Sequence, residues 1–422
     1  MSLLDRITTA LPQGTAFVGA GTAVLGVASY VHLAAAGHTL AVDDMASFSV
    51  LWTVVFSIGL GLFFPVEQEI TRVVASRVVA GDGALPVLRR GAALSFGLLA
   101  VVLVPLALFG RRLADLFFHG DIGLVYALGG AFAALAFAHV TRGVLAGLGR
   151  FRAYGVQLGL DGGLRIVMSL ALALAGVRSV FAFAAVLTVA PLIAVLVTLR
   201  PVFQGARPGS AAHWRELIEH LGLLVGSTLL AQLLVNIAVI STKLIATDDN
   251  ALVTALLAAL VLARVPLFVF GAFQVSLLAG LSSAAAEGDT QGYRRLLLRA
   301  AAITAGLGVA GGLCAVALGP LMLPVLFGAP DVLGPLDFAW LSIGTTLYML
   351  AMVLGQALLT SGGARQQLVA WIVGTVVLVA VTLSPFELRT RVEIAYAAGS
   401  LAVVTSMILA LRSRVGYRSV HS

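Results

Sequence analysis

Twelve stretches of mainly apolar residues run through this chain at nearly even spacing, each long enough, or almost long enough, to cross the ~30 Å of hydrocarbon in a bilayer. They cover residues 14–36, 45–66, 91–110, 122–145, 154–175 and 180–199, then 217–245, 251–278, 296–318, 336–360, 367–383 and 392–411. Backbone amides have no water to bond in lipid, so each stretch must satisfy itself as a helix. The expected fold class is therefore an all-α integral membrane protein with twelve transmembrane helices. Only 11% of the residues are charged and 60% are apolar, an inventory that cannot cover a water-soluble surface. The formal charge of +7 is scattered in short arginine runs between the apolar stretches, so it does not form a nucleic-acid-binding face.

Those runs predict orientation. With a cytoplasmic N-terminus, 17 basic residues fall in inside loops and 6 in outside loops. The bias places both termini in the cytoplasm. Lys243 is the only lysine, and the arginine-, alanine- and glycine-rich composition reads as that of a GC-rich bacterial genome, which would put the chain in a bacterial cytoplasmic membrane. Cys314 is the only cysteine and lies in an apolar stretch, where packing is its default role.

The two halves of the chain echo one another. Asp43-Asp44 follow the first stretch and Asp248-Asp249 the seventh. Gly81-Asp82-Gly83 with Arg89-Arg90 answers to Gly288-Asp289-Thr290 with Arg294-Arg295, and Gly147-Leu148-Gly149-Arg150 to Gly362-Gly363-Ala364-Arg365. Six crossings per repeat return the chain to the side where it began, so the two six-helix lobes are expected to be parallel repeats. The reading is an N-terminal lobe over 1–205, a cytoplasmic linker over 206–216 and a C-terminal lobe over 217–422. Within the linker, Trp214-Arg215-Glu216 are suited to a short interfacial helix.

Polar residues inside the apolar stretches are the candidates for chemistry. Arg264 stands mid-way along the eighth stretch, two residues before Pro266, and either faces a cavity or pairs with a buried carboxylate. Thr228, Gln232 and Asn236 recur every four residues on the seventh stretch, with Lys243 continuing the stripe outward. Such a stripe lines a wet cavity or hydrogen-bonds to a neighbouring helix. Asp161 and Arg165 are four apart on the fifth stretch and can neutralise one another, as a fixed pair or one that opens during transport. Gly155, Gly159 and Gly163 on that stretch read as a small-residue ridge for close packing. Glu67, Glu69 and Arg72 follow Pro65 at the inner end of the second stretch, as ordinary interfacial charges or as an inner gate of salt bridges. His32 and His139 read as packing residues. Metal-ligand spacings, phosphate-binding loops and nucleophile elbows are absent from the sequence, so neither an enzyme nor a cofactor is expected.

The two six-helix halves, the acidic outer turns, the Gly-Asp and Arg-Arg inner loops and Gly147-Leu148-Gly149-Arg150-Phe151-Arg152 resemble the multidrug/oligosaccharidyl-lipid/polysaccharide (MOP) exporter superfamily, and within it the polysaccharide-biosynthesis flippases. That resemblance implies a MATE-like fold whose lobes enclose a cavity lined by spans 1, 2, 7 and 8 and which works by alternating access. It further implies that cations such as Arg264 hold the diphosphate of an undecaprenyl-linked glycan while its tail stays among the membrane lipids, with glycan-synthesis enzymes as neighbours. The first and seventh stretches carry no carboxylate, unlike ion-coupled drug exporters of the superfamily. Two other readings stay open: ion-coupled multidrug efflux, and a non-transporting scaffold of a glycan-synthesis complex.

Overall fold

The structure is a computed structural model that describes residues 15–219, 221–245, 249–263, 281, 289–385 and 388–418. It is all-helical. Helix α1 spans Thr15–Thr39, and α2 spans Val42–Val79 with a π-helical segment at Val55–Gly59. Next come α3 (Leu85–Phe117), α4 (Ile122–Gly147), α5 (Phe151–Leu174) and α6 (Val180–Gly205). The short α7 (Trp214–Ile218) precedes α8 (Leu221–Ile245) and α9 (Asn250–Ala263). The chain ends with α10 (Thr290–Phe327), α11 (Pro335–Thr360), α12 (Ala364–Thr382) and α13 (Leu388–Arg418). Among the described residues, 11 helices are long and apolar enough to cross a membrane, and α9 is a shorter apolar helix where the eighth span was expected to begin. The protein is a multi-pass membrane protein.

Several helices outrun their apolar stretches. The 33 residues of α3 make a rod of ~50 Å at 1.5 Å per residue, longer than the ~30 Å of hydrocarbon, with Arg89 and Arg90 near one end and Arg111 and Arg112 near the other. The π-helical turn of α2 lies shortly before Pro65. Proline removes an amide donor and crowds the preceding turn, and a widened turn is one way for a long helix to absorb that disturbance.

The chain forms two compact units, Met1–Thr39 with Leu62–Gly222, and Leu40–Gly61 with Leu223–Ser422. In the first unit, α1 lies along α5 at backbone contact. A Cβ added to Gly155 would sit 2.3 Å from the carbonyl of Phe17, and one added to Gly162 would sit 2.8 Å from Leu25 Cα. The close-packing ridge therefore runs through Gly155 and Gly162. Gly163, expected in it, has open space where a side chain would point, because 3.6 residues per turn carry position 163 off the face that 155 defines. The C-terminal half of α2 packs on α4, where a Cβ at Gly147 would come within 2.6 Å of Val74.

Residues 206–216 are tied down within the same unit. Buried Arg77 donates to Asp82 Oδ2 at 3.1 Å, to Glu216 Oε2 at 3.1 Å and to the carbonyls of Ser210 and Ala211 at 2.9 and 3.2 Å. Asp82 in turn accepts from the amides of Gly83 and Ser210 at 2.7 and 2.9 Å and from the Ser210 hydroxyl. These donors, the Ser210 hydroxyl foremost, hold the Asp82 carboxyl down at about 2. Trp214 lies under the Arg90 guanidinium, 4.9 Å from it.

In the second unit α11 is the hub, packed against α10 and α13, with α12 against α13. Gly319 faces Phe338 and Gly344 faces Tyr396, close approaches that bring those two rings into the core. Cys314, expected to pack, instead lies on the exposed side of α10, so its neighbours would be lipid.

Candidate functional site

Buried polar side chains gather separately in each unit. In the first, α5 presents Tyr154, Gln157, Asp161 and Arg165 at helical spacing along one stripe about 16 Å long. Asp161, 1% exposed, accepts from Arg165 Nη2 at 2.9 Å on one oxygen and from Arg142 Nη2 of α4 at 2.8 Å on the other. The expected pair is thus a triad, and Arg142 is the member that sequence reasoning missed. Gln157 Nε2 donates to Thr141 Oγ1 at 2.8 Å, while Gln157 Oε1 and Arg142 Nε are buried without a hydrogen-bond partner among the described residues.

One turn nearer the start of α5, Glu67 of α2 receives the Tyr154 hydroxyl on Oε1 at 2.8 Å, and His139 Nδ1 lies 2.6 Å from Oε2. Arg142 reaches Tyr154 electrostatically as well, which joins the two groups into one network. Glu69 accepts from Arg72 at 2.7 Å, and Arg72 Nη2 also donates to the Glu216 carbonyl at 2.6 Å. Glu67 and Glu69 are 5% and 4% exposed, so both carboxyls sit inside the bundle while Arg72 alone reaches out. The spacing of 67, 69 and 72 foretold the Glu69–Arg72 contact, whereas nothing local in the sequence joins Glu67 to His139 seventy-two positions on.

In the second unit, Gln232 and Asn236 meet as their spacing requires. Asn236 Nδ2 donates to the Gln232 carbonyl at 2.8 Å and lies 3.4 Å from Gln232 Oε1. Thr228, a turn earlier, is half-buried. Lys243 is 2% exposed and donates to Asn250 Oδ1 at 2.7 Å, and Asn250 Nδ2 donates to Asp43 Oδ1 at 2.8 Å. The stripe on α8 therefore exists as one helical face, with its cation tied into a polar chain at the C-terminal end of the helix. Arg264 and Pro266 lie outside the described residues.

An inward-facing MATE transporter of the MOP superfamily matches with a TM-score of 0.78 at 16% identity, over 94% of this chain and 96% of that one. The fold is that of the MATE transporters. An outward-facing MATE transporter matches with a TM-score of 0.68 at 16% identity, over 96% of this chain and 95% of that one. A MOP superfamily transporter from Pyrococcus furiosus, whose binding pocket is described as reversed in polarity and suggestive of a different function, matches with a TM-score of 0.72 at 16% identity, over 96% and 95% of the two chains. By sequence, an uncharacterized protein of Mycobacterium bovis is 27% identical over 403 residues, covering 93% of this chain and 91% of its own. A second, from Mycobacterium tuberculosis, is 27% identical across 432 aligned positions, covering 98% and 96%. No family model matches the chain. Within the MATE fold, the first and seventh spans correspond to α1 and α8, and neither carries an acidic residue.

Proposed function

We propose that the protein is a transporter of the MOP superfamily, in its polysaccharide-flippase branch, that moves an anionic lipid-linked glycan across the bacterial cytoplasmic membrane by alternating access. The observation that carries this reading is the stripe on α8. A buried cation, Lys243, follows two amides, Asn236 and Gln232, on a membrane-spanning helix that has no carboxylate. A face of that chemistry offers donors and positive charge to phosphate oxygens and sugar hydroxyls, and it repels a cationic drug. Arg264, with its fork of donors, is assigned to the same role on the next span. Solved MATE-fold structures in both inward- and outward-facing forms support the alternating-access part of the reading. The arginine bias supports cytoplasmic termini.

The test is a leaflet assay. The purified chain is reconstituted into vesicles with a labelled polyprenyl-diphosphate oligosaccharide, and a membrane-impermeant reagent reads how much of the label reaches the outer leaflet. Wild type is expected to equilibrate the label, and Arg264→Ala to insert normally but fail to do so. A chain that leaves the lipid in place yet drives a cationic dye against an ion gradient would establish the second reading, multidrug efflux. That alternative draws on the buried carboxyls Glu67 and Asp161 of the first unit, groups able to exchange an ion. A chain that moves neither substrate, in a vesicle where a control flippase works, would leave the scaffold role.

A further inference from the structure

Inside the second unit lies a carboxyl that none of these roles uses. Glu393 on α13 is 1% exposed, and among the described residues its Oε1 meets no hydrogen-bond partner. One turn earlier on the same helix stands Arg389, close enough to act on Glu393 electrostatically. That guanidinium is already engaged. Its Nε donates to Asp337 Oδ1 of α11 at 2.8 Å, and its Nη2 closes a second contact on Oδ2. Two carboxyls thus share one guanidinium, and the bidentate geometry assigns it to Asp337.

Of the other charged or titratable groups described on the surrounding helices, most have partners of their own, while Arg391 Nε is buried without a hydrogen-bond partner among the described residues. Arg391 Nη1 donates to the Ser384 carbonyl at 2.9 Å, and the Tyr396 hydroxyl to Thr345 Oγ1 at 3.3 Å. Tyr348 of α11 stacks beside Trp371 of α12 with ring centres 5.7 Å apart. The charged residue of α12 is Arg365, at its first turn. Lys243 of α8 donates to Asn250. A buried carboxylate oxygen that no donor reaches is penalised, and the penalty is removed when the group gains a proton or a donor.

We propose that Glu393 is a proton-binding site. Its carboxyl forms one O–H bond with a proton drawn from water when the second unit encloses it, taking the Asp337–Arg389–Glu393 group from a net charge of −1 to 0. It returns that proton to water when the enclosure opens, and no other bond changes. In a transporter this is where a proton gradient would enter the cycle, a consequence that rests on the transport reading. Proton binding itself does not.

The experiment is an infrared pH titration of the full chain in lipid nanodiscs with no substrate present, following the C=O stretch of neutral carboxylic acid. Wild type is expected to show a titrating band that Glu393→Gln lacks. Glu393→Asp should retain a displaced band. Asp337→Asn, which frees Arg389 to turn to Glu393, should weaken proton binding about tenfold or more. Titrations of wild type and Glu393→Gln that superimpose would overturn the proposal. Should Glu393→Gln fail to fold, band positions unchanged in both Glu393→Asp and Asp337→Asn would overturn it equally. A preserved Glu393 band in a chain that translocates no lipid would sink the lipid-flippase reading and leave the proton site standing.

Discussion

Asp161 holds two guanidinium groups that would otherwise be cations stranded in a dry bundle, so its removal should cost far more than the loss of two hydrogen bonds. Breaking a buried ion pair from one side typically costs about 3–5 kcal/mol because the uncompensated charge stays behind. Asp161→Ala is accordingly expected to lower the midpoint of thermal unfolding in detergent sharply. A double change of Asp161 and Arg165 to a similarly sized apolar pair should recover only part of the loss, since Arg142 still points at the vacated site. Equal midpoints for wild type and Asp161→Ala would show that the triad contributes little. Asp161 and Arg165 could be paired from sequence because one helix carries both. Arg142 and Glu67 could not, since each takes its partner from another helix, and Glu393 stands at the edge of the last apolar stretch, where sequence gives it no partner. Burial alone turns that glutamate into a candidate site.

Two elements owe their form to backbone approach. Along α1 and α5, Gly155 leaves room for the Phe17 carbonyl, so Gly155→Leu must push the helices apart. Overpacking of this kind costs roughly 1–3 kcal/mol, and its thermal midpoint should fall accordingly, while Gly163→Ala should unfold within a degree or two of wild type because nothing lies opposite it. Equal effects at the two positions would contradict the ridge. The second element is the strap of residues 206–216. Asp82 titrates at about 2 in the folded chain against an ordinary 3.8. A depressed folded value means that the carboxylate's contribution is fully present above the ordinary value and is lost as pH falls through about 2. Hydrogen exchange at the Ser210 amide, corrected for its intrinsic pH dependence, should therefore remain protected down to about pH 4 and lose protection over the next two units. Asp82→Asn should lose it at neutral pH. Protection indifferent to both changes would mean that Arg77 and Glu216 hold the strap without Asp82.

At the scale of the whole molecule, the prediction concerns what a cation on α8 does for a charged substrate. A charge-assisted hydrogen bond to a phosphate oxygen is worth about 1.5–3 kcal/mol, so Lys243→Ala should slow lipid translocation in the vesicle assay by roughly tenfold to a hundredfold, while Lys243→Arg retains most of the rate. An unaffected rate in Lys243→Ala would confine that lysine to its bond with Asn250. The amino-acid sequence by itself determined the class of fold, because lipid offers no partner to a backbone amide and each long apolar run must close its own hydrogen bonds as a helix. It also determined which polar residues share a stripe, since spacing along one helix is a local property, as Gln232 with Asn236 and Asp161 with Arg165 demonstrate. Only the tertiary structure decided that Glu67 meets His139, that Arg142 completes the Asp161 triad, that residues 206–216 are bound to Arg77 and Asp82, and that Glu393 is enclosed beside an arginine already taken. Contacts between helices distant in sequence depend on rotation and depth within the bundle, and those are set by the packing of many small and apolar faces that no single stretch encodes.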